Sequence, residues 1–191
     1  MVVEIGDRAP IGDMGTQLGE AVEFLDEHPG QIVFITIDLG ANDLFDCNGD
    51  PSCFIPQIAT ALTHNLNTLC DHAGPGVPII GMNYYKPGVA DWFDDRAAGR
   101  AAAAHIVAFD TFLESPYAGV GVPVPDVGSA PAVTDFMTLA DLKGFGPVPL
   151  SVHNACTLTW ICAGPPKGPD IRANNDGYGV IAEAFAAVLR V

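Results

Sequence analysis

Residues 37–43 read IDLGAND. An apolar run ends on Gly40, and Asn42 and Asp43 follow side by side. An amide beside a carboxylate at the end of such a run can form the lip of an active site. The same two residues also make an ordinary Asx turn or helix cap, with Asp43 accepting backbone hydrogen bonds. A second candidate group lies near the C-terminus, where GPDIRANNDGYG places Asp170 two residues before Arg172. A carboxylate and a guanidinium at that spacing can pair or clamp a loop. Arg172 stays protonated at neutral pH.

The other nucleophiles and bases are scattered. Ser52, Ser115, Ser129 and Ser151 are the serines, and none lies in a G-x-S-x-G elbow. Of the histidines, His28 and His72 fall near helix C-termini, His64 and His105 within helices. His153 follows Ser151 by two positions in PLSVHNAC, a segment expected to be an extended loop. Side chains at i and i+2 share a face there, which permits proximity without making a triad. No G-x-G-x-x-G, no P-loop and no metal-ligand spacing occurs, so no cofactor and no metal is expected. Trp92, Phe93, Tyr84 and Tyr85 are candidates either for a substrate groove or for packing.

These groups sit on a chain of 191 residues, a length suited to one domain with one sizeable core. The formal net charge of -15 leaves no basic surface for nucleic acid and disfavours anionic membranes. No stretch has the apolar length of a membrane-spanning helix. Glu4 and Asp7 stand where an export signal would be positive and then apolar. Cys47 and Cys53 bracket CNGDPSC, and Cys156 and Cys162 bracket CTLTWIC. Each pair can close a short loop, which implies an oxidising compartment, with Cys70 left over. The alternative is five reduced thiols.

Strand-like and helix-like segments alternate. GTQLGEAVEFLDEH (15–28) predicts a helix and QIVFITIDL (31–39) a strand covered on both faces. A second helix is expected over 54–72, with Ile58, Leu62, Leu66 and Leu69 as its stripe. Strands are expected over 77–84 and 121–127. Between them RAAGRAAAAHIVAFDTFLES forms a helix with a small-residue face. NNDGYGVIAEAFAAVL closes the chain as a helix. The order argues for α/β, a three-layer α/β/α sandwich with a parallel sheet and ligands beyond the carboxyl ends of its strands.

Four stretches in order, HPGQIVFITIDLGANDLFDC, GVPIIGMNYY, VPVPDVGSA and CTLTWICAGPPKGPDIRANNDGYGVIAEAF, resemble the SGNH/GDSL hydrolases of the secreted actinobacterial esterase and lipase type. The resemblance runs from about residue 15 to residue 189. It implies a flavodoxin-like parallel sheet, one domain over residues 1–191, disulfides and secretion, and a small-molecule or lipid ester as substrate. It also implies hydrolysis by a serine from an N-terminal Gly-Asp-Ser block with a histidine base near the C-terminus. Gly40, Asn42 and Asp43 match the family's Gly-x-Asn-Asp block, which puts Asn42 at an oxyanion position. Two blocks depart. Gly6 and Asp7 are followed by Arg8 rather than serine, so the serine block is expected upstream of an N-terminally incomplete chain. Arg172 stands where the family's histidine base belongs and cannot accept a proton, and the resemblance makes Asp170 a possible catalytic acid. The expectation is an ester hydrolase scaffold with poor or no activity of its own, or an inactive member with a binding or structural role.

Overall fold

The computed structural model describes residues 2–5, 17–47, 50–128 and 132–189. Its contacts divide the chain into two compact units, each discontinuous in sequence. One comprises Met1–Met82 with Thr111–Pro125, the other Asn83–Asp110 with Asp126–Val191.

The first unit holds a three-stranded parallel sheet in the order β1-β2-β3. Its strands are β1 (Val2–Ile5), β2 (Phe34–Ile37) and β3 (Ile79–Ile80). Val3 is in register with Ile35, and Ile35 with Ile79. Along β2, Ile35 and Ile37 are fully buried while Phe34 and Thr36 are half-buried, so neither face is open to water. The expected strands over 31–39 and 77–84 therefore exist, shorter at both ends and in parallel pairing.

Helices α1 (Gln17–Glu27), α2 (Ala41–Asp46) and α3 (Pro51–Ala73) complete the connections between these strands. Asp50 caps α3 by accepting the Ser52 N–H at 2.9 Å, and Pro51 follows at a position where its missing N–H costs nothing. Ile58, Leu62, Leu66 and Leu69 form the buried stripe anticipated for this helix. His72 and Asp26 join α3 to α1 at 2.8 Å.

The expected strand over 121–127 does not form. Gly81 donates its N–H to the Pro123 carbonyl at 2.9 Å, and that contact stands in place of a ladder. In a parallel pair, alternate residues address the same neighbouring strand. Pro123 and Pro125 alternate in that way and have no N–H to return.

The second unit contains a 3-10 helix over Pro87–Phe93 and most of α4 (Arg96–Gly119). Gly99 lets α4 approach the 3-10 helix closely, since a Cβ there would lie 2.6 Å from the Trp92 Cβ. This is the small-residue contact expected of that helix. An antiparallel hairpin follows, β4 (Leu139–Leu142) with β5 (Gly146–Pro149). Then come α5 (Leu150–Leu158), β6 (Thr159–Trp160), β7 (Asp170–Ala173) and α6 (Asn175–Leu189), with β6 and β7 antiparallel. The chain is thus α/β with a small parallel sheet and two antiparallel pairs.

Cys47 and Cys53 are bonded between α2 and α3, and Cys156 and Cys162 are bonded across the end of α5. Cys70 is free and exposed, as the pairing read from sequence requires.

Leu66 is fully buried in the α3 stripe. Replacing it with alanine removes that packing and leaves a cavity, and is expected to destabilise the protein by about 2–5 kcal/mol in urea unfolding.

Candidate active site

The Gly-Ala-Asn-Asp segment lies just past the carboxyl end of β2. Asp38 and Leu39 leave the strand, and Gly40 turns the chain with φ of +114°, a conformation that strains any residue with a Cβ. The Gly40 carbonyl accepts the Leu44 N–H at 3.1 Å, which starts α2. Asn42 is exposed in the first turn of that helix. The Asp43 carbonyl accepts the Cys47 N–H at 3.1 Å, so the segment runs directly into the first disulfide. The segment is a strand-to-helix turn at the carboxyl end of a parallel strand.

The C-terminal block lies in the second unit. Arg172 donates its backbone N–H to Asp170 Oδ1 and its Nη1–H to Asp170 Oδ2, each at 2.9 Å. The Arg172 backbone N–H holds the Asp170 carboxyl below the usual carboxylate range, and the guanidinium adds to this. The Arg172 side chain is 75% exposed. A permanently charged group directed at its own strand neighbour is a clamp and supplies no lone pair.

What fixes this block is Asn174. Its Nδ2 donates to the Thr157 carbonyl at 2.7 Å, tying β7 to the end of α5. Its Oδ1 accepts the Asp176 and Gly177 N–H groups, each at 3.0 Å, and so caps α6. Tyr85 joins the same corner by accepting the Ala173 N–H on its hydroxyl at 3.1 Å. Gly177 packs so tightly that a Cβ there would collide with the Leu158 carbonyl oxygen.

Ser151 and His153 do not form a pair. The segment expected to be an extended loop is α5, and two residues along a helix point to different sides. Ser151 is buried in the first turn, its hydroxyl without a hydrogen-bond partner in the described structure. His153 Nδ1 instead meets Asn154 Oδ1 at 2.9 Å. Ser52 donates its hydroxyl to Asp50, and Ser115 is exposed on α4. Ser129 and the Gly6-Asp7-Arg8 segment lie outside the described residues. Among the described residues no group of three or more histidine, cysteine or carboxylate side chains is placed to hold a metal.

A buried ion pair was not anticipated. Lys86 Nζ lies 3.4 Å from Asp110 Oδ2, with the two side chains 4% and 11% exposed. Asp110 Oδ1 accepts the Tyr84 N–H at 2.9 Å. Burial pushes the Asp110 carboxyl up to about 6, against the pull of the Tyr84 N–H and the Lys86 ammonium, and the Asp126 carboxylate adds to the rise. A sequence signal existed, because each charge interrupts an apolar run, IIGMNYYKPGVA and HIVAFDTFL. Lys86 also lines an open cleft of about 380 Å³, mouth included, whose walls are largely apolar and include Tyr85, Val127, Leu158, Val180 and Ile181. Tyr84, by contrast, is buried against Phe109, and Trp92 packs edge-on against Phe93.

No family model and no curated protein matches this sequence. In fold the chain is similar to the solved structure of an acetyl xylan esterase from Geobacillus stearothermophilus. The TM-score is 0.50 at 12% identity, over 98% of this chain and 93% of that one. The likeness supports an α/β architecture.

Two outcomes follow from this geometry. Asn174→Ala removes the α6 cap and the tie to Thr157, and is expected to cost about 1–3 kcal/mol in urea unfolding. The raised Asp110 carboxyl binds its proton more tightly in the folded state, so its contribution to stability is largest in acid and falls as pH rises from 3.8 to about 6. Relative to Asp110→Asn, the wild type is expected to lose on the order of 3 kcal/mol across that window. Urea midpoints of the two proteins, measured side by side against pH, check this.

Proposed function

We propose that residues 1–191 form a single SGNH-hydrolase-like domain with a three-layer α/β/α sandwich, a carboxylic ester hydrolase scaffold that itself turns over esters poorly or not at all. The observation that carries this reading is Arg172, which occupies the expected base position and is held to Asp170 at 2.9 Å. The likeness to an esterase fold over nearly the whole chain supports the scaffold. Asn42, past the end of β2, is the residue assigned to the oxyanion position, and Asp170 serves the clamp rather than proton transfer. The substrate class of the scaffold is a small-molecule or lipid ester of a carboxylic acid. The two disulfides support a secreted protein. No helix among the described residues is long and apolar enough to cross a membrane.

Serine attack needs a positioned hydroxyl with a base in hydrogen-bond reach. A general base alone contributes about 10²–10⁴-fold, so its lack is plain in a rate assay. Purified protein is expected to leave p-nitrophenyl acetate and butyrate at or near the background rate. Arg172→His is expected to bring no rescue, since among the described residues no nucleophile is paired with that position. Turnover at an ordinary enzymatic rate, abolished by Asn42→Ala, would overturn the proposal.

A further inference from the structure

We propose that the Cys47–Cys53 disulfide is a redox-sensitive latch: a dithiol opens it ahead of Cys156–Cys162, and its opening releases α2 and with it Asn42. The redox behaviour stands by itself, and its meaning for Asn42 rests on the oxyanion assignment. The two bonds differ in where their sulfurs sit. Cys53 is the third residue of α3, after the Asp50 cap and Pro51, so its sulfur lies at the N-terminus of a 23-residue helix. That end of a helix stabilises a thiolate. Gln57 adds a donor, its Nε2–H reaching the Cys53 sulfur at 3.9 Å on the exposed side of α3. The Asp50 carboxylate opposes a second negative charge, but it already accepts the Ser52 N–H and hydroxyl. Cys156 lies instead in the last turn of α5, the end that disfavours an anion, and packs on Leu142, Val148 and Val152.

These positions give the exchange a direction. A thiolate of the dithiol attacks the Cys47 sulfur, the S–S bond breaks, and its electron pair leaves on Cys53 and takes up a proton. The second thiol of the reductant then attacks the mixed disulfide and frees Cys47. The dithiol ends as a cyclic disulfide, and its two protons end on the two cysteines. Cys70, the free thiol, lies about 25 Å along α3 by helical rise, too far to take the place of the reductant.

Opening the bond acts on α2 because that helix is short. Six residues do not hold a helix in water by themselves. Leu44 anchors α2 in the core, and Cys47 ties its far end to α3, whose buried stripe is fixed. The Leu44 N–H to Gly40 and the Cys47 N–H to Asp43 bonds span the whole helix, Asn42 included. Without the bond to Cys53, that end is free to fray.

The test treats the wild type with limiting dithiothreitol, followed by alkylation, peptide mapping and hydrogen exchange. Cys47 and Cys53 are expected to be alkylated at least about tenfold faster than Cys156 and Cys162. Peptides covering α2 are then expected to exchange at least about tenfold faster than in the oxidised protein, with the Leu62–Leu69 stretch of α3 unchanged. In a Cys70→Ser background, Cys47→Ser is expected to react faster with iodoacetamide at pH 7 than Cys53→Ser, since it leaves the Cys53 thiol. Opening of Cys156–Cys162 first or at an equal rate, unchanged exchange in α2, or equal loss of protection in α3 each overturns the proposal, as does a more reactive Cys47 thiol. Should either serine variant fail to fold, the wild-type reduction decides the matter alone. Ester turnover is not read, so these outcomes are separate from those that test the scaffold.

Discussion

Two charges that water barely reaches set the geometry of the second unit. Lys86 and Asp110 can stay ionised in an apolar setting only as partners, and removing either leaves the other buried and uncompensated. That constraint fixes the segment after β3 against α4, because the second Asp110 oxygen accepts the Tyr84 N–H. Asn83 continues the network by donating to Asp126 and accepting the Gly128 N–H. Tyr85, held between these contacts, carries the Ala173 N–H on its hydroxyl. The position of β7, and so of Asp170 and Arg172, is thus referred back to the buried pair.

An open apolar cleft in unit 2 has Lys86 among its lining residues. A core built only of aliphatic side chains closes on itself, since every void forfeits contacts. A lysine whose head group must meet Asp110 cannot fill the space beside it as a leucine would. Asn174 and Gly177 add rigidity from the other side, one by capping α6 and the other by admitting the Leu158 carbonyl where no Cβ fits.

Local pattern made some elements readable and left others hidden. The α3 stripe at Ile58, Leu62, Leu66 and Leu69 and the β-branched run around Ile35 and Ile37 declare their periods, and both elements are found. The strand over 121–127 fails because Pro123 and Pro125 lack donors, a point visible in the sequence but outweighed by the valines between them. Helix α5 was hidden because Pro149, Ser151, Asn154 and the cysteines around it carry turn-like chemistry, and burial of Val152 and Ala155 decides in favour of helix. At the candidate site, the turn at Gly40 and the pairing of Asp170 with Arg172 were legible because the partners are sequence neighbours. Lys86 and Asp110 meet only through tertiary packing, so nothing in either segment names the other.

Asn42 stands past the carboxyl end of β2, while among the described residues Ser151 is buried and Arg172 is neutralised by its strand neighbour. Among the described residues no serine is paired with a base that would activate it. The direct measurement is intact-mass spectrometry after treatment with a fluorophosphonate, which phosphonylates activated serines with loss of fluoride. Unmodified protein is expected at the concentrations that saturate a serine esterase. A stoichiometric single adduct mapped to one serine, and prevented by prior exposure to an ester substrate, would contradict it.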